Sequence, residues 1–178
     1  IKLISEIIEK SKKNDLFPIN NNATIRRSTW STMGDDIASN VPYPLWTHPL
    51  NPLHKHEYRM LKNLYRLMDI LENQARSNLD KQNFKNYYNT ARYFYDRALH
   101  SCWLWWSSMR PHWSPNLIYK GVDLVMKTAM NAQLALINAK VGEGDEYYGI
   151  IMDNMEKLMN AMITQEARGQ HLRTFSID

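Results

Sequence analysis

The chain has 178 residues, of which 44% are hydrophobic and 22% are charged, and this composition excludes a mainly disordered protein. Its 6 Gly and 7 Pro are too few for the frequent turns of an all-β fold. Lys and Arg outnumber Asp and Glu by 22 to 18, but Lys12–Lys13 and Arg26–Arg27 are the only adjacent basic pairs. We therefore expect a solvated basic surface, and the sequence argues against a nucleic-acid partner.

The predicted elements begin with a short amphipathic helix over residues 3–12. Residues 17–51 follow without helical periodicity, and the segment is longer than an ordinary connection. We interpret it as an ordered segment that packs on a neighbouring part of the protein rather than as a linker, because linkers rarely carry aromatic side chains. The relevant side chains are Trp30, Tyr43, Leu45 and Trp46.

Four long helices are predicted in the rest of the chain, at 52–76, 79–108, 115–141 and 145–169, from apolar residues that recur every three or four positions. Asn51–Pro52 and Ser114–Pro115 each combine an N-cap acceptor with Pro at the first helical position. Short connections favour antiparallel neighbours. The sequence therefore predicts an all-α fold, an antiparallel four-helix bundle over residues 51–178 that follows the short helix and the irregular segment of residues 1–50.

Four of the six Trp residues lie at positions 103–113. On one helix, Trp103 and Trp106 share a face, whereas Trp105 points about 130° away from the middle of that face. One core cannot cover both directions, so we expect part of this surface to meet a ligand or another domain; complete internal packing is the alternative. Indole faces suit the C–H face of a sugar, whose hydroxyls His100 and Arg110 could bind.

Cys102 is the single cysteine, which excludes an internal disulfide and a metal site of several cysteines. A reducing, cytoplasmic compartment is therefore expected. We interpret Cys102 as an inert core residue, because bulky aromatic residues flank it. No apolar stretch approaches the roughly 18 to 20 residues of a transmembrane helix, so no membrane partner is predicted. The chain begins at Ile1 without an initiator Met, which suggests a piece of a longer protein.

Motifs for metal binding or catalysis are scarce. His54 and His56 point to different faces of a helix and no Glu-x-x-His pair occurs, so neither a metal site nor a cofactor is predicted, and capping or surface roles are favoured for the histidines. Asp35–Asp36 follows Trp30 in the irregular segment. We interpret these acids as turn or cap residues, and a small enzyme that uses one of them as acid or base stays open.

Several short motifs resemble glycoside hydrolase family 57. Ser28-Thr29-Trp30, Gly34-Asp35-Asp36, Leu45-Trp46 and Asn51-Pro52 precede a long helix, in the order found where that family's catalytic barrel passes into its C-terminal helical region. The segment from His100 to Trp113-Ser114-Pro115 resembles the Trp-rich segment of some family-57-like proteins. Asp36 stands where the family usually has His.

The resemblance implies that residues 1–50 include the end of a missing barrel domain and that residues 51–178 form a helical domain, which covers the barrel and helps to shape a cleft for α-glucans. It implies no cofactor. The motifs of the catalytic carboxylates are absent, so the catalytic residues stay unknown and the chain is not expected to be catalytic alone. The candidate sugar-binding or interface residues are Trp30, Asp35, Trp46, His100, Trp103, Trp106, Arg110 and Trp113.

The expected partners are the catalytic barrel domain and an oligosaccharide. An alternative of a different class is a stand-alone helical bundle, in which the same Trp residues bind a protein partner or a second copy of the chain.

Overall fold

The computed structural model describes residues 29–109 and 113–168. Across these two ranges the chain forms seven helices and no strand, so the predicted all-α class is confirmed. The predicted helix at residues 3–12 lies outside the described residues. In chain order the helices are α1 (Gly34–Ala38), α2 (Pro44–Thr47), α3 (Pro52–Asn78), α4 (Gln82–Ala98), α5 (Cys102–Trp106), α6 (Pro115–Ala139) and α7 (Asp145–Arg168).

The start of α3 is capped as its sequence predicts. Asn51 Oδ1 accepts hydrogen bonds from the backbone N–H of Leu53 at 2.8 Å and of His54 at 3.4 Å. Asn51 Nδ2 donates to the carbonyl oxygen of Ser107 at 2.8 Å. One side chain therefore caps α3 and also fastens its first turn to the residue that follows α5.

The other predicted cap is only half correct. Pro115 occupies the first turn of α6, but the side chain of Ser114 makes no capping hydrogen bond. At the other end of the helix, Lys140 adopts the left-handed conformation, with φ of 60°, and the backbone N–H of Val141 donates to the carbonyl oxygen of Leu136. This is a common way to end a helix, and it turns the chain toward α7.

The predicted helix over 79–108 is two helices, because α4 ends at Ala98 and α5 begins at Cys102. The break lets the side chain of Trp103 turn into the core, where its Nε1–H donates to the Ala98 carbonyl oxygen at 3.2 Å. Cys102 is consequently exposed. The interpretation of Cys102 as a core residue is therefore wrong, since it assumed that the helical stripe ran unbroken past Ala98.

The segment before α3 is less irregular than the sequence predicts, since it contains α1 and α2. In α2, Leu45 is buried and Trp46 packs partly against the core, while Tyr43 and Trp30 are exposed. The segment is thus ordered over residues 29–51, and only some of its apolar side chains pack inward.

The four long helices pack in two main pairs, α4 with α6 and α3 with α7. Helices α3 and α6 also contact each other, so these two helices connect the two pairs. Helix α5 packs on α6, and α2 contacts both α3 and α5. None of the helices in the described ranges is long and apolar enough to cross a bilayer.

Candidate functional site

A pocket of about 150 Å³ lies between α5 and the first turns of α6. Trp103 and Gly121 line its inner part, and Trp106 forms part of its wall. The remaining lining residues are His100, Cys102, Leu117 and Lys120. The pocket is smaller than the roughly 300 to 1,000 Å³ of common ligand sites, so it can take a single small group rather than a whole oligosaccharide.

The position of Trp103 depends on Gly121. A Cβ atom at Gly121 would lie 2.3 Å from Trp103 Cγ, which is far below a van der Waals contact. Trp103 itself is only 1% exposed. The indole therefore packs directly over the backbone of α6, and it fixes α5 against this helix.

Trp105 and Trp106 contact each other, with ring centroids 5.1 Å apart and planes tilted by 40°, and Trp106 also packs against the core. Both side chains are half-buried. Trp103 and Trp106 line the same pocket and Trp105 does not, in agreement with their predicted faces, although the rings of Trp105 and Trp106 contact each other. Two long side chains that begin on neighbouring positions of a short helix can lean together, which ideal helical angles do not describe.

The polar groups at the pocket are His100 and Lys120, which are both exposed. Among the described residues, no carboxylate forms an ion pair with Lys120. An aromatic wall beside free hydrogen-bond donors suits a ring that carries hydroxyl groups.

The structure gathers only part of the predicted site. His100, Trp103 and Trp106 lie together at the pocket. Trp113 is half-buried away from its lining, and its Nε1–H donates to Glu166 Oε1 on α7. Arg110 lies outside the described residues. Lys120 has no counterpart in the sequence prediction, because it comes from a different helix and no local motif marks it.

The remaining candidates, Trp30, Asp35 and Trp46, lie in the segment before α3. Trp30 sits in a turn and is 76% exposed. This turn is fixed by Thr32, whose hydroxyl donates to the carbonyl oxygen of Pro42 at 2.9 Å. Asp35 is exposed in the first turn of α1, and Trp46 packs partly on the core.

Asp36 is the buried member of the acidic pair. Its Oδ2 accepts a hydrogen bond from the backbone N–H of Met33 at 2.8 Å, just ahead of α1. This contact is the helix-start role expected for the acidic pair.

A buried polar cluster, formed by His54, Glu57 and Ser107, joins the first turns of α3 to the end of α5. His54 Nδ1 accepts from the backbone N–H of His48 at 3.1 Å, and its Nε2 lies 3.2 Å from the Leu104 carbonyl oxygen. A backbone N–H can only donate and a carbonyl only accept, so His54 is neutral with its proton on Nε2. Burial lowers the pKa of His54 to about 4.

Glu57 is fully buried in the same cluster. The Ser107 hydroxyl lies 2.8 Å from Glu57 Oε2 and 2.7 Å from the Leu104 carbonyl oxygen. One hydroxyl proton cannot be donated to both acceptors, whereas a neutral Glu57 satisfies both contacts by donating its own proton to Ser107 Oγ. Burial raises the pKa of Glu57 well above its usual value, which favours this neutral form.

The polar cluster positions the Trp-bearing helix α5 and does not resemble a catalytic site. Two of its contacts, from His54 to the Leu104 carbonyl oxygen and between Glu57 and Ser107, connect α3 to residues 104–107. The other two lie within one segment each, between His48 and His54 and between Ser107 and Leu104. Sequence analysis misses this role, although Glu57 stands in an otherwise apolar helical stripe and thereby signals a buried acid. In the two described ranges, no three His, Cys, Asp or Glu side chains are grouped so that they could hold a metal ion.

Comparison of the chain with protein-family models, with curated protein sequences and with solved structures gave no match. The chemistry of the pocket and of the surface is therefore the basis for inferring what the protein does.

Proposed function

We propose that the chain is a helical domain of a carbohydrate-active enzyme similar to glycoside hydrolase family 57, and that it is not catalytic alone. In this proposal the pocket between α5 and α6 binds one sugar ring of an α-glucan. The observation that carries the proposal is that His100, Trp103 and Trp106, which the sequence singles out for sugar binding, line the same pocket.

The pocket offers complementary groups for such a ring. The half-buried indole of Trp106 presents an apolar surface to the C–H face of the sugar, and Trp103 closes the inner end of the pocket. Lys120 and His100 can donate hydrogen bonds to hydroxyl groups at the exposed side. Each side chain has one part in this arrangement, so the contribution of each can be tested separately.

The segment before α3 supports the second part of the proposal, contact with a catalytic barrel. Trp30 exposes most of its indole on a turn that Thr32 fixes to Pro42. Asp35 is exposed nearby in the sequence, at the start of α1. An ordered, exposed Trp is typical of a surface that another domain or a ligand covers.

We further propose that the four long helices are arranged as an antiparallel bundle. Near the start of α3, His56 contacts Asn154 in the middle of α7, at 3.1 Å. Further along α3, Leu67 lies beside Gly144, which precedes α7. These two contacts support opposite directions for α3 and α7. The exposed thiol of Cys102 is consistent with a reducing, cytoplasmic compartment, which forms part of the same proposal.

Titration with malto-oligosaccharides, followed by Trp fluorescence, tests the sugar site. We expect a saturable spectral change in the wild-type chain and in Trp30→Ala, whose side chain does not line the pocket. The change should be lost in Trp106→Ala and weakened in Lys120→Ala. An unchanged wild-type spectrum at millimolar sugar, or an unchanged response in Trp106→Ala, would show that the pocket is not a sugar site.

The alternative function, a stand-alone module that binds a protein or a second copy, is favoured by one observation. Met130, Leu134 and Ile137 are exposed and lie on one face of α6, at spacings of four and three residues. Light scattering separates the two functions. A monomer with a sugar response supports the carbohydrate proposal, whereas a dimer that lacks a sugar response and dissociates in Ile137→Lys supports the alternative.

A further inference from the structure

One face of α3 carries four exposed cationic side chains, Lys55, Arg59, Lys62 and Arg66, which we name the basic stripe. Their spacings of four, three and four residues place them within about 60° around the helix and along about 16 Å of its length. The residues are scattered in the sequence, and the helix is what aligns them.

Within residues 29–109 and 113–168 the basic stripe forms no ion pair. Three exposed cations on other helices pair with a carboxylate one turn away: Lys127 with Asp123 at 2.6 Å, Lys157 with Asp153 at 2.7 Å and Arg92 with Asp96 at 3.1 Å. In the part of the chain that the structure describes, no carboxylate pairs with the stripe. Lys55–Arg59 and Lys62–Arg66 are instead like-charged pairs one turn apart, which destabilise a helix unless an anion neutralises them.

Two tyrosines follow one edge of the stripe. Tyr58 is 39% exposed and Tyr65 is 57% exposed. Seven residues separate them, so they lie about 10 Å apart along α3 and on nearly the same side of it. Their rings therefore provide two accessible aromatic groups beside the row of positive charges.

We propose that the basic stripe, together with Tyr58 and Tyr65, binds single-stranded nucleic acid. The cations meet successive phosphates of the strand, and the tyrosine rings stack on unpaired bases. A duplex hides its base faces, and α7 packs along α3, so this helix cannot enter a groove as an isolated rod. The proposal goes beyond carbohydrate binding and depends on no part of it.

Fluorescence anisotropy of a labelled oligothymidylate, measured with the full chain at increasing KCl, tests the stripe. If four phosphates are contacted, the logarithm of the association constant should fall with the logarithm of the salt concentration with a slope of about −2.8. The double variant Lys62→Ala/Arg66→Ala should bind more weakly and halve this slope to about −1.4. Circular dichroism checks that the variant keeps its helices.

Two further variants make the test specific. Lys127→Ala/Lys157→Ala removes the same charge from α6 and α7, and it should leave the slope unchanged. Tyr58→Ala/Tyr65→Ala should weaken binding by at least about tenfold through lost stacking, again without a change in slope.

Several results would overturn the proposal: no binding at low salt, an equal loss in Lys127→Ala/Lys157→Ala, or tyrosine variants that bind as well as the wild type. Tighter binding to duplex DNA, heparin or phosphatidylserine vesicles than to the oligothymidylate would also contradict it. Such a preference would show that the stripe is a general surface for polyanions or lipid headgroups.

Discussion

Two titratable side chains at the start of α3 are held neutral inside the protein, and their pKa values shift in opposite directions. Burial disfavours the charged form of each, so the pKa of Glu57 rises while that of His54 falls to about 4. Both side chains lie against residues that follow Trp103, and they form hydrogen bonds to Ser107 and Leu104. Their protonation is therefore linked to the docking of α5.

The raised pKa of Glu57 should make the protein less stable as pH rises. Above the ordinary carboxyl pKa of 4.5 the unfolded chain releases a proton that the folded chain keeps, so the free energy of unfolding falls with pH until Glu57 ionises in the folded state. Glu57→Gln keeps the shape without this proton. We expect urea unfolding to show a gain in stability for Glu57→Gln near neutral pH that vanishes in acid, whereas equal pH profiles would contradict a neutral Glu57.

The lowered pKa of His54 should make the protein less stable as pH falls below 6.5. As pH falls from 6.5 toward 4, the unfolded chain gains a proton that folded His54 does not take up, so stability is present above 6.5 and is lost below it. The full loss amounts to about 3 kcal/mol. His54→Asn should reduce this acid-induced loss in urea unfolding measured across that pH range, and an unchanged loss would show that His54 is not responsible.

At the scale of the elements, the break between α4 and α5 decides where the Trp side chains lie. The apolar periodicity of the sequence continues through the break, so local pattern predicts one helix. The cause of the break is tertiary: the indole of Trp103 packs over the backbone of Gly121 and bonds to the Ala98 carbonyl oxygen. A pattern within one helix carries no information about a glycine on another.

Substitution of Gly121 tests this account. In Gly121→Ala the new Cβ would overlap the buried Trp103 ring, and we expect a loss of about 3 kcal/mol in the free energy of unfolding. Gly149→Ala is the matched control, because a Cβ atom at Gly149 in α7 would meet no atom within 4 Å apart from its own stretch of helix. It should stabilise the protein by up to about 1 kcal/mol through helix propensity. Similar effects of the two substitutions would contradict close packing at Gly121.

The sequence predicts the structure best at the ends of helices, where residues close together in the chain determine the conformation. The Asn51–Pro52 motif correctly predicts where α3 begins. The predicted connection between α6 and α7 is also present, and it begins with Lys140 in the left-handed conformation. In the candidate site, the sequence predicts only those side chains that lie close together along the chain, such as His100 and Trp106. Lys120 joins them from another helix, and the basic stripe is visible only once α3 is folded, since its charges are never adjacent in sequence.

At the scale of the whole molecule, the proposed binding surfaces are separate. Lys120 at the pocket and Ile137 in the exposed apolar row lie on the same helix, about 25 Å apart along its axis. The basic stripe is on α3, and its residues do not line the pocket. A substitution at one surface should therefore leave the others intact, so sugar binding, self-association and nucleic-acid binding can be measured independently on one set of variants.

The capping contact of Asn51 has a consequence for the order of folding. Its Oδ1 can cap α3 as soon as the helix forms, but Nδ2 finds the Ser107 carbonyl oxygen only when the chain has closed a loop of 56 residues. We therefore expect the first turn of α3 to gain its last hydrogen bond late in folding, after α4 and α5 have docked. In hydrogen exchange, the amides of Leu53 and His54 would then report on the assembly of this end of the bundle rather than on helix formation alone.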